Sequence, residues 1–148
     1  MLCFLTVSIF TSSLLAEGEW ETTPGSDRAL QKGLEWLARN QGAEGNWGSN
    51  NLGLVGMGAL AFLSAGHLPG RGRYGNTVQR ALNYVLKHAK PSGLLNISNA
   101  QHDMYNHGLA TFALGQAYGM TSDKTVSYTH LRAHETRHDL VCRLLLEK

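Results

Sequence analysis

Ahead of the C-terminal tail, the stretch QHDMYNH gathers a polar constellation of His102, Asp103, Tyr105 and His107 at the mouth of a predicted helix. On a helix, Asp103 and His107 stand one turn apart on one face. That spacing suits two metal ligands, or a carboxylate that orients an imidazole as general base. The same residues also describe a polar helix start, with Asp103 capping the helix and His107 making one hydrogen bond, and no third metal ligand is visible nearby. RGRYG, from Arg71 to Gly75, sets two cations beside an aromatic ring in a glycine-rich connection. Such a loop could touch a phosphate or simply be solvated. His67 and His88 fall at expected helix ends, where an imidazolium favours the negative end of the helix dipole. Asn96, Ile97 and Ser98 form an N-glycosylation sequon.

The elements that must position these groups are helices. Leu30, Leu34 and Leu37, with Gly33 beside them, form an apolar stripe at helical spacing that starts after Pro24 and Gly25 with Ser26 as cap. Leu52 to Ala65 is apolar on every side and stops at Gly66, which predicts a helix buried all round. Val78, Ala81, Leu82, Val85, Leu86 and Ala89 repeat the amphipathic stripe, from a cap at Asn76 or Thr77 to a break at Pro91. Met104 to Tyr118 is again mostly apolar and is expected to end at Gly119. Sustained period-two alternation is missing, so an all-α fold is predicted. The glycine spacing in the second helix follows no strand, so a nucleotide-binding turn is not implied, and close helix packing explains those glycines better.

The helices come in pairs, one amphipathic and one apolar, and the pairs repeat. Lys32, Gly33, Trp36, Leu37 and Gly45 match Arg80, Ala81, Tyr84, Val85 and Gly93 at a constant spacing of 48 residues. Basic meets basic, small meets small, aromatic meets aromatic. Two concentric layers follow, an outer helix facing water and an inner helix shielded by it.

The segment KGLEWLARNQGAEGNW, Lys32 to Trp47, resembles the QW motif of squalene and oxidosqualene cyclases, with its seven specified positions filled by Lys32, Gly33, Trp36, Leu37, Gln41, Gly45 and Trp47. The second copy is degenerate, with Ala89 where Gln belongs and Leu95 where Trp belongs. The resemblance runs from Asp27 to about Ser122 and extends to the wider group of prenyltransferase and squalene-oxidase repeat proteins. It implies a fragment of an α/α toroid, with Gln41 and Trp47 fastening one outer helix to the next rather than acting in catalysis. It also implies an isoprenoid or other apolar ligand, with His102, Asp103, Tyr105 and His107, at an inner-helix start bordering the central cavity, as the candidate ligand-facing patch. The Asp-x-Asp-Asp acid of the cyclases and the Asp, Cys and His zinc set of the prenyltransferases have no counterpart here, so neither active site carries over. The rival expectation is a secreted toroid repeat protein that binds a ligand or partner without catalysis. Enzymatic activity is left open, and no cofactor is implied.

The chain has 148 residues, with 43% hydrophobic and 16% charged residues. This fits one packed domain and excludes a solvated tail. A net charge of +2 without a basic run provides no footprint for nucleic acid. Cys3 and Cys142 lie at opposite ends and form no CxxC pair. Leu2 to Leu15 is too short an apolar stretch to cross a bilayer and reads either as a signal peptide, residues 1–16, which implies export to a periplasm or the exterior, or as a buried first helix. At the other end, residues 126–148 show neither helical nor strand periodicity until the last few. Val126 to Glu135 and Leu140 to Leu146 can be written in codons that resemble the adapter of transposase-based sequencing libraries. The expectation is therefore a toroid section at 17–125, with repeats at about 27–66 and 76–119, followed by a non-native tail at 126–148. Its partners would include the missing repeats of the parent chain.

Overall fold

The computed structural model describes residues 23–48, 50–98, 103–121, 126 and 128–135. Within them lie α1 (Pro24–Asn40), α2 (Leu52–Ser64), α3 (Gly75–Lys87) and α4 (Asp103–Thr121). A fifth helix, α5, covers 128–135, and the described residues contain no strand. The signal-peptide assignment, like most of the tail beyond residue 135, falls outside the described residues.

Helix α1 is capped three residues before the expected position at Ser26. Thr23 is the N-cap, its Oγ1 accepting from the Ser26 amide at 3.1 Å, while the Ser26 Oγ accepts from the Thr23 amide at 2.8 Å. Ser26 is thus the third helical residue of a reciprocal capping box, with Pro24 at the first position, where its missing N–H costs nothing. Helix α2 is capped by Asn51, whose Oδ1 accepts from the Leu54 amide. It ends at Gly66, as the sequence predicts. The Gly66 amide donates to Leu63 and the His67 amide to Phe62, with Gly66 at φ +81°. This is a Schellman closure, which satisfies two end carbonyls and calls for a residue tolerant of the left-handed region.

Two other helix ends differ from expectation. Helix α3 starts at Gly75, ahead of Asn76 and Thr77, and has no side-chain cap. Helix α4 runs through Gly119 to Thr121, whose hydroxyl donates back to the Ala117 carbonyl at 2.7 Å. Gly119 has no positive φ and stays inside the helix. A glycine stops a helix only where the chain needs the left-handed turn.

Helices α2 and α4 pack side by side. A methyl group at Gly53 would lie 2.7 Å from Asn106 Oδ1, and one at Gly56 would lie 3.1 Å from Ala110 Cα. Contacts that advance together along both helices mean that the two run in the same direction. Helix α3 covers another side of α2, and Phe62, Leu63, Val78, Leu82, Val85 and Leu114 form the centre of the core. The expectation that α2 is buried all round is corrected, because Leu54 and Met57 are exposed.

The 48-residue repeat is visible in the loops after α1 and α3. After α1 the Gly42 amide donates to the Asn46 carbonyl and the Gly45 amide to Gly42. After α3 the Lys90 amide donates to Leu94 and the Gly93 amide to Lys90, at the same spacing. Gly45 and Gly93 both take positive φ, 103° and 89°. The segment expected to lack periodicity also differs from its reading: 128–135 is helical, and Val126 and Ala133 are buried against the core.

Candidate functional site

The residues of the QW-like motif fall into two groups. Gln41, Gly45 and Trp47 make the junction between α1 and α3. The Gln41 carboxamide donates to the Gly45 carbonyl at 3.0 Å and to the Thr77 carbonyl in α3 at 2.9 Å, and its Oε1 accepts from the Arg80 guanidinium at 2.7 Å. Gly45 lies so close to α3 that a methyl group there would be 2.3 Å from the Arg80 carbonyl oxygen. The Trp47 indole donates to the Leu37 carbonyl at 2.8 Å, satisfying one of the end carbonyls of α1. Its ring lies on Gly58 of α2, where any side chain would collide with it. Trp47 thereby ties α1 to α2 while Gln41 ties α1 to α3. Lys32, Gly33 and Trp36 take no part in this junction and are exposed, and Leu37 is half-buried.

The second group of predicted residues does not converge. His102 lies outside the described residues, and Tyr105 points to solvent. Asp103, half-buried at the start of α4, accepts a hydrogen bond from the Asn96 side-chain amide. His107 is fully buried, its Nδ1 accepting from the Leu95 amide at 3.1 Å and its Nε2 lying 2.9 Å from the Ala133 carbonyl. The second contact requires Nε2 to carry the proton, so the imidazole is neutral and both ring nitrogens are engaged. A metal ion or a substrate proton at His107 would have to displace a backbone partner.

Sequence reasoning missed the centre of this network, which is the sequon asparagine. Asn96 is fully buried, and its Oδ1 accepts from the Ser98 amide, the Ser98 hydroxyl and the Asn106 side-chain amide, at 3.0, 2.9 and 3.1 Å. With its amide nitrogen on Asp103 as well, Asn96 ties the loop before α4 to the first turn of that helix. The folded chain offers no free amide nitrogen for a glycan. The available signal was the local one: Asn and Ser two residues apart before a helix start commonly bond each other and the backbone.

The RGRYG loop is also engaged. Arg73 pairs with Glu35 at 2.8 Å and stands 5.3 Å from the centre of the Tyr74 ring. Arg71 lies at the rim of a cleft of about 290 Å³ shared with Gln79 and Thr121. His67 packs edge-on against Tyr74, ring centres 4.8 Å apart. His88 is the C-cap of α3, with Nδ1 2.8 Å from the Tyr84 carbonyl.

Two further surfaces remain. Stepping 100° per residue from the contact line between the parallel helices α2 and α4 places Leu54 and Met57 of α2 on the same side as Tyr105 and Phe112 of α4. All four are exposed. Between α4 and α5 lies a cavity of about 340 Å³ lined by Thr111, Phe112, Gly115, Gln116, His130 and His134. Burial, and then the neighbouring His134, hold His130 below the usual imidazole range, against the opposing effect of the Thr111 carbonyl.

Searches against protein-family models, curated proteins and solved structures find no match for this chain. No described helix is long and apolar enough to cross a membrane.

Proposed function

We propose that residues 17–125 are a section of an α/α toroid of the squalene-cyclase-like and prenyltransferase-like kind, whose inner helices offer an apolar face to an isoprenoid or similar ligand. The observation that carries the reading is the exposed stripe of Leu54, Met57, Tyr105 and Phe112 on two parallel inner helices. Exposed large apolar side chains gathered on one face usually mark a binding surface. The Gln41 junction between successive outer helices and the recurring loop geometry support a stacked repeat. A binding role without catalysis is the second reading, favoured because Asp103 and His107, the candidates for metal ligation or for a carboxylate-oriented general base, are both committed to hydrogen bonds that shape the start of α4. Export through residues 1–16 belongs to that second reading.

The test is titration of the purified chain with a dansyl-labelled farnesyl alcohol, compared with a Leu54→Asp/Phe112→Asp variant. Saturable binding is expected, weakened about tenfold or more in the variant at unchanged helix content, since each charge replaces an apolar contact. Equal binding by both proteins, or no saturation, would overturn the reading.

A further inference from the structure

Metal ligation is one of the readings the sequence offers for Asp103 and His107, one helical turn apart, and the fold commits both elsewhere. The same spacing recurs in α5, at His130 and His134. We propose that His130 and His134 form a bidentate imidazole site for a late first-row divalent cation, of the Ni²⁺, Cu²⁺ and Zn²⁺ class.

The geometry carries this. The His130 ring is held in place, with Nδ1 3.2 Å from the Thr111 carbonyl and its edge over Gly115, where a methyl group would lie 2.7 Å from Cε1. A proton on Nδ1, donated to Thr111, leaves the Nε2 lone pair for a metal. A backbone carbonyl that accepts from the other ring nitrogen in this way commonly fixes the tautomer and orientation of a ligating histidine. His134 is exposed, and its ring centre stands 4.5 Å from that of His130. A metal bound at about 2.1 Å to an imidazole nitrogen sits about 3.2 Å from the ring centre. Two ring centres 4.5 Å apart then subtend about 90° at a shared metal, the cis angle of an octahedral or square-planar site. Because His134 is on the surface, its ring can turn its Nε2 toward the same point without disturbing the core. Water fills the remaining positions, as expected for a two-ligand surface chelate. The Gln116 side chain, on the wall of the same cavity, supplies a polar neighbour.

The site is a property of the polypeptide as it stands and is independent of both the apolar-ligand reading and the origin of residues 126–148. Its test uses the full, tag-free chain titrated calorimetrically with nickel chloride at neutral pH, alongside His134→Ala, His130→Ala and His88→Ala. Binding is expected at one ion per chain, weakened about tenfold or more by either α5 substitution, because the second imidazole acts at high effective concentration. His88→Ala should stay within about twofold of the parent. Copper spectra should show two imidazole nitrogens in the parent and one in His134→Ala, which alters only a surface side chain. A parent that does not bind, or a His134→Ala chain that keeps the parent's affinity and its two-nitrogen spectrum, would overturn the proposal.

Discussion

Helices α1 and α3 carry the same pattern 48 residues apart, and the fold treats them differently. Trp36 is 61% exposed, and its counterpart Tyr84 is 4% exposed. Leu30 is 47% exposed, and Val78 is fully buried. Gly33 has nothing within 4 Å of a would-be side chain among the described residues, and Ala81 is fully buried. The difference lies in the neighbour. The loop after α1 is seated on Arg80 and Ala81 through Gly45 and Gln41, and no described loop does the same for Lys32 and Gly33.

A large contrast between the two copies should come from truncating the aromatic of each. Tyr84→Ala empties a filled site and is expected to lower stability by about 3 kcal/mol, as for other large-to-small core changes. Trp36→Ala, at the matching but uncovered position, should change it by less than about 0.5 kcal/mol. Urea unfolding of the two variants would separate them, and equal losses would break the comparison. A smaller effect is expected from Gln41→Ala. It removes the donors to Thr77 and Gly45 and the acceptor for Arg80, at about 1 to 2 kcal/mol for a half-buried group with charge-assisted bonding. Arg80→Ala combined with Gln41→Ala should cost less than the two singly, and strict additivity would show that the junction is not one unit.

The helices were legible from the sequence because apolar spacing reports directly which faces a chain can bury. Gly66 marked its helix end for the same reason that Thr23 escaped notice: a cap is set by local geometry, and Ser26 looked like a cap while serving as the partner of one. The 48-residue spacing was visible from side-chain types before the loops showed it in their hydrogen bonds. What stayed hidden depends on contacts between distant residues. Asn96 reads as a surface sequon until Asn106 and Asp103 are brought to it, and His107 reads as a candidate ligand until Leu95 and Ala133 occupy it. Leu54 and Met57 look like core residues in a uniformly apolar helix, because sequence shows how apolar a face is and not whether a neighbour exists to cover it. Residues 128–135 carry too little apolar periodicity to announce a helix, and their packing against α4 rests on the two small faces at Gly115 and Ala133.

The central claim is that the loop after α1 docks tightly on α3, and two Gly→Ala substitutions within one motif test it most directly. Gly45 sits at φ +103° against the Arg80 carbonyl, so Gly45→Ala meets both a strained backbone and a collision. Gly33 is an exposed position in the middle of α1 with open space around it, where alanine is the better helix former. Measured by urea unfolding, Gly45→Ala should lose about 3 kcal/mol or more, and Gly33→Ala should gain about 0.5 to 1 kcal/mol. Similar stabilities for the two variants, or a loss at Gly33 that matches the loss at Gly45, would contradict the docked repeat.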